Sequence, residues 1–318
     1  MLKNDLAKIF FYFAGVLVLG AVLAPLIFNI GKSVVDFRIL PEGNYLEKVL
    51  RESDFKRYFN RAVMIAAAIL LWPLLKSLRL KKADMALGWG ETPGRDWTQG
   101  FLFAGGLLLM MGVVYVFLGY FNKDFDLTAG KLLQIVAAAL VVSLLEEVFF
   151  RGIMLGQAVK SFCNEWIALL VISAFFSAIH FLKPAGSVEI ADEDVIWTTG
   201  FWILGQIFGQ FSDIEFLLAE FLTLFAVGWA CGIARLRTQS LWLSMGLHSG
   251  WIFGLKLYED LTEKTKPLKR GEFMPWVGGD LKVGLVPLIV VVITGWIVLA
   301  LWNRRRNRRL VADVSKPL

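Results

Sequence analysis

A bundle of membrane-spanning helices is the fold the sequence predicts, and three observations carry it. Of the 318 residues 57% are hydrophobic and only 19% charged, with a mean hydropathy of +0.62, whereas soluble domains are typically about a quarter charged. Uncharged runs recur at 9–30, 99–122 and 283–303, each at or above the roughly 20 helical residues that cross a hydrocarbon core. Basic residues gather at the edges of such runs, as in "KSLRLKK" at 76–82 and "RRRNRR" at 304–309, which is the charge signature of cytoplasmic loops.

Eight helices follow, at about 9–30, 62–78, 99–120, 132–158, 164–182, 215–236, 240–258 and 283–302. The first is too long for the core of a signal peptide and reads as a retained span. Arg61 and Lys76 bracket the short second run and lengthen it by snorkelling to the interface. The fourth is apolar from Leu132 until it meets Glu146. With Lys3 and Lys8 adding to the two basic clusters, an even number of crossings puts both termini in the cytoplasm. For that reason "TTGFWILGQIFGQF", 198–211, reads as a re-entrant or interfacial segment, since a ninth crossing would set the basic clusters on opposite sides.

No repeat or linker divides the chain, so it reads as one integral membrane unit in three parts: N-terminal transmembrane helices over 1–130, a core over 131–258, and a loop, last helix and basic tail over 259–318. The plasma membrane of a bacterium is the expected location and the lipid bilayer the first partner. The net charge of +6 does not call for nucleic acid, because the basic residues sit at membrane edges. Two cysteines, Cys163 and Cys231, support neither a disulfide framework nor a cysteine metal site.

Against this background the stretch "LLEEVFFRG" at 144–152 stands out. A charge at the centre of a spanning helix costs about 3 kcal/mol on insertion scales and marks a functional site by default. Glu146, Glu147 and Arg151 are such charges, and the only two histidines of the chain, His180 and His248, also fall in expected helices. Glu147 and Arg151 are four apart, on one helical face, and can pair; that pair also suits a purely structural role in fixing helix register. Glu146 lies about 100° around the helix without that partner, which suits a general base or acid. From a turn near Phe162, Glu146 is sixteen residues back and His180 eighteen forward, hence at nearly equal depth at about 1.5 Å per residue. His248, eight residues past Ser240, lies about 12 Å into its own helix by the same rise. Two Glu and two His could also bind zinc, through Glu146, His180 and His248, although no HExxH is present.

These residues resemble the CPBP intramembrane proteases, the family that includes the type II CAAX prenyl endopeptidases and the bacterial Abi proteins. The family's EExxxR corresponds to Glu146, Glu147 and Arg151, its FxxxH to Phe176 and His180, and its later histidine to His248 in "RTQSLWLSMGLHSGW". The resemblance covers about 130–256. It implies an endopeptidase that hydrolyses a peptide bond of a membrane-associated or prenylated substrate without a cofactor. Glu146, helped by His180, would activate water, His248 would stabilise the oxyanion, and Glu147, Arg151 and Phe176 would support the site. One position departs: where the family commonly has a polar residue four after the last histidine, this chain has Ile252. That leaves Ser249 or a backbone N–H as the replacement donor, or else a catalytically reduced member acting as an immunity or scaffold protein.

Overall fold

The computed structural model describes residues 2–78, 85–86, 88, 92–125, 127–182, 184, 188–209 and 214–314, with side chains undescribed at 2–4, 214–219 and 302–314. Most of the basic cluster at 76–82 and the side chains of 304–309 therefore lie outside the described residues, as does the end of the 198–211 segment.

The chain is mostly helical and divides into two units that are not sequential: 1–80 with 179–214, and 81–178 with 215–318. Of the expected core over 131–258, residues 179–214 thus group with the first unit.

In the first unit, α1 (Leu2–Asp36) packs on α3 (Phe55–Leu78), with the short α2 (Tyr45–Glu52) between them in the chain and α8 (Thr199–Gly209) lying on α1. Small residues on α1 and α3, Ala21, Ala24 and Ala62, let these helices approach, and Phe28, Phe55, Tyr58, Phe59, Ile203 and Ile207 fill the space around them. Gly200 starts α8 directly against the backbone of Ala21, where a Cβ has no room. The segment expected to be re-entrant or interfacial is therefore an eleven-residue helix seated on α1. Lys32 ties the unit's polar end together through Asp192 at 2.7 Å and the carbonyls of Arg51 and Ser53.

The second unit is built on α4 (Pro93–Phe117) and α10 (Trp242–Leu261), its most extensively packed pair. Glycines make this contact: Gly246, Gly250 and Gly254 recur every four residues on one face of α10. Cβ atoms at Gly246 and Gly250 would collide with the backbone of Trp97 and Phe101. Small residues at this spacing are how helices gain dispersion contact in lipid, where burial from water no longer drives association. On the α4 side, a Cβ at Gly105 would meet the Gly250 carbonyl at 3.1 Å. Gly105→Ala is accordingly expected to cost about 1–3 kcal/mol of overpacking, read as a lower thermal midpoint of the purified protein, whereas Gly106→Ala, which faces open space, leaves it unchanged.

Around this pair stand α5 (Ala129–Glu146), α6 (Leu155–Phe162), α7 (Glu165–Ile179), α9 (Ile214–Thr238) and α12 (Leu285–Val314). The Ser177 hydroxyl donates to the Phe221 carbonyl at 2.7 Å, linking α7 to α9, and Gly295 of α12 abuts Ala230 of α9. Strands β1 (Phe121–Lys123) and β2 (Thr262–Lys264) pair antiparallel, joining the ends of α4 and α10 ahead of the one-turn α11 (Lys266–Lys269).

Among the described residues, four helical stretches are long and apolar enough to cross a membrane: Asp5–Asp36, Phe55–Leu78, Pro93–Phe117 and Ala129–Phe162. Glu165–Ile179 and Leu285–Leu301 are apolar but shorter. Helix α10 has the length, at 20 residues, but carries Ser244, His248, Ser249, Lys256 and Glu259.

Candidate active site

Two elements supply the polar cluster, and both belong to the second unit. Thr128 begins α5 by accepting from the Lys131 N–H at 3.2 Å, and the helix runs to Glu146. There the hydrogen-bond ladder widens: Glu147–Met154 forms a π-helical segment, and the N–H of Leu155 bonds the Phe150 carbonyl five residues back. Such insertions are rare and frequent at functional sites, because they re-aim side chains from one turn. The chain then continues as α6, turns at Cys163 with φ +53°, and enters α7 under an Asn164 cap that accepts from Trp166 and Ile167. The turn thus lies where the depth argument placed it.

Glu147 is the hub. Its side chain is fully buried, and its Oε1 lies 2.8 Å from Arg151 Nη1 and 2.8 Å from His248 Nδ1. Its Oε2 accepts the hydroxyl of Ser244, which is also fully buried. The i, i+4 pairing of Glu147 with Arg151 read from the sequence is present, carried by a π turn rather than an α turn.

Arg151 has a second partner surface. Its guanidinium carbon stands 4.3 Å from the Phe176 ring centroid, within cation–π range. Phe176 packs edge-on against Phe150 at 5.0 Å and faces the His248 ring at 6.0 Å. The aromatic residue of the FxxxH motif is therefore the floor on which the arginine and the later histidine rest.

His248 sits on α10 with its two nitrogens divided between the two glutamates. A carboxylate only accepts, so Nδ1 is the protonated nitrogen and donates to Glu147. Nε2 points towards Glu146, 3.7 Å from its Oε2, too far for a direct hydrogen bond. The two carboxylates differ in environment: the Glu146 side chain keeps 27% exposure and that of Glu147 none.

His180 directly follows α7. Helix α7 ends at Ile179, so His180 lies just beyond a helix expected to run to 182, because the chain turns there. It groups with the first unit, and the second unit by itself assembles Glu146, Glu147, Arg151, Phe176 and His248. Ile252 lies one turn past His248 and is half-buried. Ser249, the replacement donor considered from the sequence, donates its hydroxyl to the Gly246 carbonyl at 3.1 Å.

Residues 128–254 match the family model of the Rce1-like type II CAAX prenyl endopeptidases. The chain carries a domain of this family. The matched span opens at the Thr128 cap and closes at Gly254, so it takes in α5, the π segment and the part of α10 that bears His248. No curated protein and no solved structure matches the chain. Together with the apolar helices, the Rce1-like match supports an integral membrane protein.

Three features of the Rce1-like domain escape the sequence reading. Ser244 is one serine among many, with nothing local to mark it. The π segment has no compositional signature. The Gly246, Gly250, Gly254 spacing, by contrast, is visible and indicates the close α4–α10 contact. As for zinc, among the described residues no group of three or more His, Cys, Asp or Glu side chains is arranged to hold a metal ion.

Proposed function

We propose that the chain is a CAAX-type intramembrane endopeptidase in which Glu146 activates the hydrolytic water. The observation that carries this reading is the division of labour around His248: Glu147 is committed to Arg151, Ser244 and Nδ1, while Glu146 faces Nε2 from a partly open position. Glu146 would take a proton from water as its oxygen attacks the peptide carbonyl. It would then return that proton to the amine as the C–N bond breaks. His248 would donate from Nε2 to the developing oxyanion. With Nδ1–H already given to Glu147, that donation requires a proton on Nε2 as well during turnover. His180 is assigned as the helper of Glu146 on its motif alone.

A membrane-associated or lipidated peptide is the proposed substrate class, reached within a bilayer that the chain crosses eight times with both termini cytoplasmic. The basic clusters at 76–82 and 304–309 support that topology. The test compares the membrane peptidomes of cells carrying the wild type and Glu146→Gln. A C-terminus produced only by the wild type is expected, and identical sets would overturn the assignment. Cleavage by the purified protein is also expected to persist after dialysis against EDTA; loss restored by zinc would replace the glutamate mechanism with a metal-dependent one.

A further inference from the structure

Hydroxyls on the helices of this protein mostly bond back to their own helix. Thr238 donates to Ala234, Thr294 to Val290, Ser143 to Leu140 and Ser249 to Gly246, the usual fate of Ser and Thr in a helix interior. Ser177 reaches across to a backbone carbonyl of α9, and Ser244 departs further, to a side-chain carboxylate. Fully buried on α10, it gives its proton to Glu147 Oε2 across the helix interface.

The geometry points to Ser244 as a positioning residue that fixes the tautomer and ring orientation of His248 through Glu147. The carboxylate of Glu147 has two oxygens and three partners. Arg151 and His248 share Oε1, and Ser244 holds Oε2. Without a donor on Oε2 the carboxylate can turn about its last side-chain bond, and the Nδ1 contact that defines the histidine's tautomer turns with it. Ser244 and His248 are four apart, on one stripe of α10, so Glu147 grips that helix at two points a turn apart. On another side Gly246 and Gly250 seat α10 against the backbone of α4, and Cys231 Sγ approaches the Ser244 carbonyl at 3.7 Å. Helix α10 is thereby held against rotation, and the carboxylate plane becomes the adjustable part that Ser244 locks.

The kinetic consequence rests on the proposed function; the effect on His248 does not. With only two histidines in the chain, selective ¹⁵N-histidine labelling of the full-length protein in nanodiscs gives two imidazoles, assigned by His180→Gln. In the wild type His248 is expected as the Nδ1–H tautomer. In Ser244→Ala it is expected to populate both tautomers while His180 is unchanged, and kcat on a cleaved peptide is expected to fall about 10- to 100-fold, as for loss of a residue that orients a functional histidine, with KM within about two-fold. A folded Ser244→Ala whose His248 signals match the wild type overturns the proposal. Should Ser244→Ala not fold, Ser244→Cys keeps the volume with a weaker donor; an intermediate tautomer mixture is then expected, and an unchanged spectrum overturns the proposal equally. If cleavage proves insensitive to Glu146→Gln, the protease reading fails while the histidine spectra still decide the role of Ser244.

Discussion

Glu146→Gln is expected to lower kcat for peptide cleavage by roughly 100- to 10,000-fold, the span of a general base's contribution, while the thermal midpoint of the purified protein stays where it is. The two halves of this result have separate causes. The amide of Gln is close to isosteric with the carboxylate and keeps an oxygen that can face His248 Nε2, so packing and the 3.7 Å relationship survive. What the amide cannot do is take a proton from water. Stability is spared because Glu146 is not the residue that holds the interior together: Glu147 bonds Arg151, Ser244 and His248. Full kcat in Glu146→Gln, measured with the same peptide and the same reconstituted protein, would remove Glu146 from the chemistry.

The parts of this site that were legible in the sequence are those governed by local periodicity and by the cost of charge in an apolar run. Glu147 and Arg151 could be paired on paper because four residues make roughly one helical turn, and the widened π turn still leaves them adjacent. His248 could be singled out because an ionisable side chain in an expected span is costly and rare. The turn at Cys163–Asn164 could be placed because it falls in the polar break, Lys160 to Glu165, between two largely apolar stretches. What could not be read depends on which helix faces which. Ser244 acquires meaning only when α10 lies against the π segment, 97 residues away in sequence. The strand pair joining Phe121 to Lys264 is likewise non-local. The end of α7 at Ile179, ahead of His180, comes earlier than Pro184 in "FFSAIHFLKP" alone would place it. The helix expected at 240–258 is present as α10 (Trp242–Leu261). His248 drew attention to the helix, while Lys256, Glu259 and Asp260 near its end, with the serines and histidine, keep it less apolar than a simple span.

Arg151→Ala is expected to be the most damaging substitution for folding, at about 3–5 kcal/mol, the penalty for removing one member of a buried ion pair. Against a typical total of roughly 5–15 kcal/mol, that deprives the protein of a large part of its margin. The expected readout is a sharply reduced yield of monodisperse protein with a lowered thermal midpoint. The reason is not that the pair contributes so much when intact. Both groups are almost wholly buried, at 0% and 1% exposure, and their mutual attraction largely offsets what each loses on leaving water. Removing the guanidinium leaves the Glu147 carboxylate without its countercharge, and leaves Phe176 without the cation that rests on it at 4.3 Å. The same logic predicts that removing both charges is far milder: Glu147→Leu with Arg151→Met should recover most of the lost midpoint, since apolar replacement of a buried pair is often neutral or stabilising. Activity should not return with it, because His248 would then have no acceptor for Nδ1–H and Ser244 none for its hydroxyl. A double variant that folds but does not cleave would separate the two duties of Glu147, countercharge to Arg151 and anchor of His248. A double variant that is as unstable as Arg151→Ala would mean that the arginine holds the fold through Phe150 and Phe176 rather than through its charge.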